Sequence, residues 1–406
     1  MDNETTPRRD LPLAGRRIVL GVTGSISCYK AADICSKLRQ AGATVEVVMT
    51  PAAAQFITPL TFQSLTGREV ILDIFRAGEA EAHVEVARRA DALVIAPATA
   101  DCIANLAHGT TPDMVTLTAL ATVAPILIAP AMDSQMWAHP ATQANVEILK
   151  ARGVAFVGPM AGRLASGRMG AGRLAETPQV LGALRALLGR SAGDFAGRHI
   201  VVSAGPTREA LDPVRFISNH SSGKMGFAIA EAARDRGARV TLVAGPVALD
   251  TPWGVERIDV ESVEDMLHAL HVATQESDAV IMPAAPADFR PATFANQKIK
   301  KTRDEDTMSV ELVKNPDILA SLAGGGVRVG FAAETENLAE NAIEKLARKR
   351  LDFIVANDVT AEGSGFGIDT NQVTLFHADG SVEALPIMSK YEVAHGILDR
   401  VKTLLR

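Results

Sequence analysis

The chain starts twice. Gly15-Arg-Arg-Ile-Val-Leu and Gly197-Arg-His-Ile-Val-Val are near copies, each a β-rich run that enters a glycine turn and then a helix-like apolar pattern. An opening of this kind repeated halfway along predicts two separate α/β units, each with its own core. The stretch from Gly189 to Gly197, GRSAGDFAG, is short, small and polar, and is the expected linker. The expected organisation is therefore an N-terminal tail over 1–14, a first domain over 15–189 and a second over 190–406.

Within each half, strand-like runs alternate with helix-like ones. The first half has Ile18–Gly21, Thr44–Met49, Ala92–Ile95, Ile126–Ile128 and Val154–Val157, with a helix pattern such as Ala31–Gln40 between strands. The second has Ile200–Ser203, Arg239–Val243, Ala279–Met282, Val327–Phe331 and Phe353–Ala356. Such alternation predicts α/β domains with doubly wound, Rossmann-like parallel sheets. A last pair, Gln372–Phe376 and Val382–Leu385, is joined by Ala378-Asp379-Gly380 and reads as a hairpin.

Composition removes several function classes. A formal net charge of −6 argues against general nucleic-acid binding. Cys28, Cys35 and Cys102 have no paired ligand spacing, which argues against a disulfide framework or zinc site and suits a reducing compartment. His268 and His271 lack any further ligand pattern and read as a helix-surface pair. Met1 to Leu13 is too polar for a secretory signal, and no apolar run reaches the roughly 18 residues that span a bilayer. These features predict a cytoplasmic protein with no membrane contact.

The richest segment is Asp212 to Ala230, DPVRFISNHSSGKMGFAIA. It follows a strand and a Gly205-Pro206 turn, so it belongs at the carboxyl end of the sheet, where open α/β sheets bind ligands. Arg215, Asn219, Ser221, Ser222 and Lys224 are groups that could face a phosphate or carboxylate, and Gly223 and Gly226 permit close backbone approach. In the first half, Gly21-Val-Thr-Gly-Ser-Ile-Ser also joins a strand to a helix, and its amides with the Ser25 hydroxyl suit a phosphate. It is not a GxGxxG fingerprint, which disfavours a full dinucleotide. Thr50-Pro51 and Ala96-Pro-Ala-Thr-Ala-Asp close neighbouring strands at the same edge, the latter with side chains small enough for a flat ring.

SNHSSGKMG, with Thr207-Arg208-Glu209 and DPVRFI before it, resembles the signature of phosphopantothenate–cysteine ligases, and the first half resembles the flavin-dependent cysteine decarboxylases. Together, from about Arg16 to the C-terminus, they resemble the bifunctional phosphopantothenoylcysteine decarboxylase/phosphopantothenate–cysteine ligase of coenzyme A biosynthesis. The resemblance implies a flavodoxin-like first domain holding flavin mononucleotide (FMN), with Gly24, Ser25 and Ile26 at its phosphate and Thr50, Ala98 and Thr99 along the rest. It makes His83 the active-site base, on a helix ahead of the Asp91-Ala-Leu-Val-Ile strand. It also implies a homo-oligomer, a dodecamer, with flavin sites between subunits.

Chemistry explains the flavin. A carboxylate beside an amide nitrogen has no electron sink when CO2 leaves, and oxidising the cysteine thiol to a thioaldehyde creates one. A histidine titrating near neutrality can take the proton released. Two positions depart from the family. Its Pro-x-Met-Asn motif, whose asparagine holds the substrate carboxylate, is here Pro130-Ala-Met132-Asp133. An ionised Asp133 would repel a carboxylate by roughly 4 kcal/mol at about 4 Å and an effective dielectric near 20, so it is protonated, faces elsewhere or works through a neighbour. The family's flap cysteine, donor of the final proton, is replaced by Ser166, whose hydroxyl is a far weaker acid than a thiol.

For the second half, joining a carboxylate to an amine requires activating the carboxylate, and a triphosphate requires cations. Lys298-Ile-Lys300-Lys301, Lys314-Asn315-Pro-Asp-Ile and the i, i+4 pair Lys345 and Lys349 supply them. By resemblance, Met282, Pro283, Ala284 and Asp288 read a cytidine nucleotide, with further contacts from Asn315, Pro316, Asp317, Ile318, Phe331, Lys345 and Lys349. Lys298 serves activation and Asn219 handles the acyl-cytidylate. The implied substrates are 4′-phosphopantothenate, cysteine and CTP with Mg2+. No residue type encodes CTP over ATP or names the magnesium ligands. Asp133 and Ser166 leave two other readings open: an active ligase with an impaired decarboxylase, or a flavin-binding regulatory subunit.

Overall fold

The computed structural model describes residues 12–73, 82–300, 307–324, 326–334, 338–358, 365 and 367–405. Most of the expected N-terminal tail, and Lys301, lie outside them. The chain divides into two compact units, Met1–Ser191 and Ala192–Arg406.

The first unit is built on β1 (Arg17–Val22), β2 (Thr44–Met49), β3 (Ala92–Ala98), β4 (Ile126–Pro130) and β5 (Ala155–Phe156), in the order β2-β1-β3-β4-β5. Every neighbouring pair is parallel. This is the flavodoxin-like order, in which the direction of winding reverses between β1 and β3. Helices α1 (Cys28–Gln40), α2 (Pro59–Thr66), α3 (Ala82–Arg89), α4 (Ala100–His108), α5 (Met114–Ala121), α6 (Ser134–Ala138), α7 (Pro140–Ala151) and α8 (Thr177–Ala192) complete it. Leu93, Ile95 and Ile128 pack with Ile103 and Val115 in one core, as expected for strands buried on both faces. An antiparallel hairpin, β6 (Met160–Arg163) and β7 (Met169–Arg173), stands outside the sheet.

The second unit has an eight-stranded sheet. Its strands are β8 (His199–Ala204), β11 (Arg239–Ala244), β12 (Glu256–Asp259), β13 (Ala279–Met282), β16 (Val327–Glu334), β17 (Phe353–Asp358), β18 (Thr370–His377) and β19 (Val382–Ser389). The order β12-β11-β8-β13-β16-β17 is parallel and Rossmann-like, reversing between β8 and β13; β18 and β19 add an antiparallel edge. Two short antiparallel pairs, β9 (Arg208–Ala210) with β10 (Phe216–Ser218) and β14 (Phe289–Pro291) with β15 (Leu312–Lys314), project from strand-end loops. Ile200 and Val202 face one core, shared with α9 (Lys224–Asp235) and α13 (Lys390–Leu404). Val201 faces the other, with α10 (Val263–Ala273), α11 (Ile318–Ser321) and α12 (Leu338–Lys349). Period-2 alternation thus divides one continuous apolar run between two layers. Capping boxes at Ser262–Asp265 and Ser389–Glu392 start α10 and α13.

The strands expected from sequence are present, several longer by one to four residues, because backbone pairing continues past the apolar runs. The short pairs β6–β7, β9–β10 and β14–β15 were not expected, since glycine-rich and charged strands of three to five residues carry little periodicity. The linker also differs. Helix α8 runs through Gly189 to Ala192, and Phe195 is fully buried in the second core. Asp194 then grips Arg236 through bonds of 2.6 and 2.9 Å, and Lys402 lies 3.0 Å from it. Among the described residues, no helix is long and apolar enough to cross a membrane.

Asp194 yields a pH prediction. Burial alone would raise its pKa, but the bonds to Arg236 and Lys402 outweigh it and bring it down to about 2. A depressed carboxyl stabilises the fold above its ordinary value and loses that contribution as pH falls from about 4 towards 2. Because the Asp194 side chain is one-third exposed, Asp194→Asn is expected to cost only about 1 kcal/mol at neutral pH. The difference from wild type should shrink through this range and vanish below about pH 2, as measured by urea unfolding across pH.

Candidate functional site

In the first unit, Thr23 closes β1 and is buried. Its hydroxyl donates to the Pro97 carbonyl at 2.8 Å and accepts from the Thr99 amide at 3.0 Å. These bonds tie together the two loops at the reversal of winding. Thr99 then caps α4 by accepting from the Cys102 amide, and Ala98 is fully buried. The Thr50 hydroxyl accepts from the Ala53 amide at 3.1 Å. A Cβ on Gly24 would stand 2.6 Å from that of Ala52, so only glycine lets these loops meet. Among the described residues, the amides of Gly24, Ser25 and Ile26 donate to nothing, and α1 has no side-chain cap. Gly24, Ser25, Ile26, Thr50, Ala98 and Thr99 therefore share one edge of the sheet.

Beside this edge lies a cavity of about 480 Å³, bounded by Ser25 and Ile26, by Ala131 to Asp133 and by the β6–β7 hairpin. The hairpin is seated closely. The Met132 amide donates to the Gly172 carbonyl at 3.0 Å, and a Cβ on Gly172 would come within 2.2 Å of the Met132 carbonyl oxygen. Asp133 caps α6 by accepting from the Gln135 amide at 3.0 Å, and it accepts from the Ser166 hydroxyl at 2.9 Å. The Gln135 amide, then the Ser166 hydroxyl, hold its carboxyl below the usual range. Asp133 lines the cavity and is bonded to Ser166. Ser166 spends its proton on that carboxylate. Losing it would place an alkoxide beside a carboxylate.

His83 opens α3. At the other end of that helix the Asp91 amide donates to the Arg17 carbonyl at the amino edge of β1, 2.8 Å away. Helix α3 therefore runs toward the amino edge of the sheet, with His83 at its far end. It does not line the 480 Å³ cavity. Lys30 does, and its ammonium holds Glu176 at 2.8 Å. Sequence reading passed over Thr23 and Lys30; the signal available was their place in the same strand-end loop and the first turn after it.

The second unit repeats the arrangement. The Ser203 hydroxyl of β8 accepts from the Ala284 amide at 3.2 Å, and the buried Thr207 hydroxyl from that of Ala287 at 3.0 Å. The Gly205 carbonyl accepts from Ala285 at 3.0 Å. A Cβ on Gly226 would lie 2.6 Å from the Ser203 carbonyl oxygen, so glycine brings α9 onto β8. Helix α9 starts at Gly223, in the left-handed region at φ +77°, with no side-chain cap. A cavity of about 270 Å³ faces that helix start.

Pro283, Ala284, Asp288, Phe331 and Lys345 line this cavity with Ser221 to Gly226. Other expected contacts stand behind them. Met282 and Ile318 are core residues. Asn315 donates to the Ala287 carbonyl at 2.9 Å and accepts from Arg290 at 2.9 Å. Asp317, beside the exposed Pro316, caps α11 and pairs with Lys349 at 3.1 Å. Asn219 donates to the carbonyls of Ala285 and Pro286 at 3.1 and 3.2 Å, fixing that loop rather than lining the cavity. Lys298 is exposed and outside it.

Arg215 corrects an expectation. It does not face an anion site; it pairs with buried Asp212 at 2.5 Å and donates to the Ile299 carbonyl at 2.8 Å. The Ile299 amide donates in turn to Asp212 at 3.1 Å. The Arg215 guanidinium, with backbone amides, holds the Asp212 carboxyl well below the usual range. The motif thereby pins the backbone between Lys298 and Lys300. Lys224, Asn357, Asn371 and Lys390 also line the cavity, the last three without any motif that would mark them.

Two Rossmann-like sheets, each with an anion-compatible helix start at its reversal of winding, define a two-unit α/β protein. Comparison with known proteins agrees. Residues 8–189 match the Flavoprotein family profile, and residues 195–405 match that of the DNA/pantothenate metabolism flavoprotein C-terminal domain. The chain is 47% identical over 401 residues to the coenzyme A biosynthesis bifunctional protein CoaBC of Vibrio vulnificus strain CMCP6, covering 97% of this chain and 99% of that one. It is 47% identical over 399 residues to the CoaBC of Bacillus subtilis, and 45% over 401 to that of Escherichia coli K12, in each case across 97% of this chain and 98% of the relative. The chain belongs to the family of coenzyme A biosynthesis bifunctional proteins.

The seating of the hairpin gives a prediction. Gly172→Ala has no room beside Met132, and overpacking of this kind costs about 1–3 kcal/mol. Hydrogen exchange should show β6–β7 and Ala131–Asp133 losing protection together, while the second unit stays unchanged. Unaltered protection would mean that the hairpin is not locked through Gly172.

Proposed function

We propose that this chain carries out two consecutive steps of coenzyme A synthesis in the cytoplasm as a homo-oligomer, a dodecamer. The second unit joins 4′-phosphopantothenate to cysteine with CTP, and the first decarboxylates the product to 4′-phosphopantetheine. The observation that supports this most strongly is near-full-length family membership together with two cavities, each at the winding reversal of its own sheet.

In the first unit, FMN is the fitting cofactor. The unpartnered amides of Gly24, Ser25 and Ile26 suit its phosphate, and the small, buried Ala98 beside Thr50 and Thr99 suits a flat ring. Bound there, the flavin would accept two electrons from the substrate thiol, giving the departing carboxylate its electron sink, and would return them to the enethiol left after CO2 departs. His83 takes the proton that this oxidation releases. Ser166 and Asp133 latch the hairpin over the cavity. With Asp133 ionised, the substrate carboxylate turns away from it, and the proton that completes the thiol comes from a group other than Ser166.

In the second unit, the start of α9 and the lysines around it hold the triphosphate. Lys298 neutralises charge as the carboxylate attacks and pyrophosphate leaves. Cysteine's amine then displaces CMP from the acyl-cytidylate, with Asn219 holding the Ala285–Pro286 loop against it. Among the described residues no cluster of His, Cys, Asp and Glu forms a metal site, and the Mg2+ we propose arrives with the nucleotide.

Paired variants test this. His83→Asn should keep the yellow colour and pyrophosphate release but lower CO2 release by about 10²–10⁴-fold. Lys298→Gln should block pyrophosphate release while added phosphopantothenoylcysteine is still decarboxylated. Coupled loss of both activities in either variant would contradict separate sites.

A further inference from the structure

Lys390 is the least expected member of the second cavity. It is the first residue of α13 and is only 6% exposed, yet it lines the same space as Lys224 and Lys345. Its ammonium donates to three backbone carbonyls, those of Gly365 at 2.9 Å, Ile368 at 2.5 Å and Thr370 at 3.1 Å. An ammonium has three N–H groups, so all are used. Among the described residues no carboxylate lies within ion-pair reach of it. Lys224 grips the same strap, through the Gly367 carbonyl and the Asp369 carboxylate, both at 2.7 Å.

A buried cation is costly unless a counter-charge or full hydrogen bonding compensates it. Carbonyl oxygens satisfy the N–H groups of Lys390 but leave its charge. Among the described residues that line this cavity, Lys224, Lys345 and Lys390 accompany one carboxylate, Asp288, and Lys224 is paired with Asp369 just behind it. Burial, then the proximity of Lys224, pushes the Lys390 amine below its ordinary range, with Asp369 opposing them.

We propose that Lys390 is a positioning residue of the ligase unit: a fixed positive charge, held by the carbonyls of Gly365, Ile368 and Thr370, that draws the nucleotide's phosphates into the cavity. This rests on the nucleotide reading of the site. Lys390 does not bond the ligand, since its donors are spent. It acts through its field and by keeping the strap in place. Its contribution should therefore scale with the ligand's charge.

The test is titration calorimetry of CTP, CMP and cytidine on the full-length protein, wild type and Lys390→Met. Methionine keeps the apolar stem and removes the charge. CTP binding should weaken by at least about tenfold, CMP by less and cytidine not at all, while Lys390→Arg restores most of the CTP affinity. Lys390→Gln keeps two N–H donors for the strap without charge and must show the same gradient. It carries the test if the methionine variant fails to fold. Decarboxylation of added phosphopantothenoylcysteine should be unchanged throughout. Equal weakening of all three ligands would assign Lys390 to the strap alone and overturn the proposal, as would unchanged CTP affinity. A wild-type protein that binds no CTP and releases no pyrophosphate would instead overturn the nucleotide reading, and this inference with it.

Discussion

Both units depend on one interaction: a hydroxyl at the end of the first strand takes an amide from the loop across the reversal of winding. In the first unit it is Thr23 with Thr99, and in the second Ser203 with Ala284, seconded by Thr207 with Ala287. A crevice at this point follows from topology, because helices leave the sheet in opposite directions on either side. What the hydroxyls add is rigidity. They satisfy amides that burial would otherwise leave unpaired, and they fix the distance between two loops that must hold one ligand. Glycines complete the construction where chain segments must touch, Gly24 against Ala52 and Gly226 against Ser203.

Among the described residues each cavity is lined by three cations and one carboxylate: Lys30, Arg163 and Arg173 with Asp133 in the first, Lys224, Lys345 and Lys390 with Asp288 in the second. A carboxylate behind the lining adds to each, Glu176 shared by Lys30 and Arg173, and Asp369 paired with Lys224. The departures at Asp133 and Ser166 also become a pair in space. Each looks harmful alone, one as a misplaced charge and the other as a weak acid, but the hydroxyl supplies the donor that the carboxylate needs.

Much of the architecture was legible because it rests on period-2 apolar runs and glycine turns. Strands such as Thr44–Met49 and Ala279–Met282 were readable to the residue. The small antiparallel pairs were not, since Phe216–Ser218 and Met160–Arg163 are stabilised by loop packing, which leaves no periodic trace. Side-chain roles were legible only to the level of the segment. DPVRF marks the right loop, yet its arginine proves to be a staple on Asp212 and Ile299 rather than an anion ligand. Lys390 lies about 170 residues beyond the SNHSSGKMG motif and carries no motif of its own; only the sheet brings the two together.

The central claim is that each sheet binds one ligand at its own reversal of winding. Hydrogen–deuterium exchange on the full-length protein, flavin-stripped and then given FMN or CTP separately, tests this most directly. FMN should protect the amides of residues 24–28 and 99–102, and CTP those of 223–226 and 284–288, each leaving the other set unchanged. Protection of both sets by one ligand, or protection confined to other loops, would contradict it.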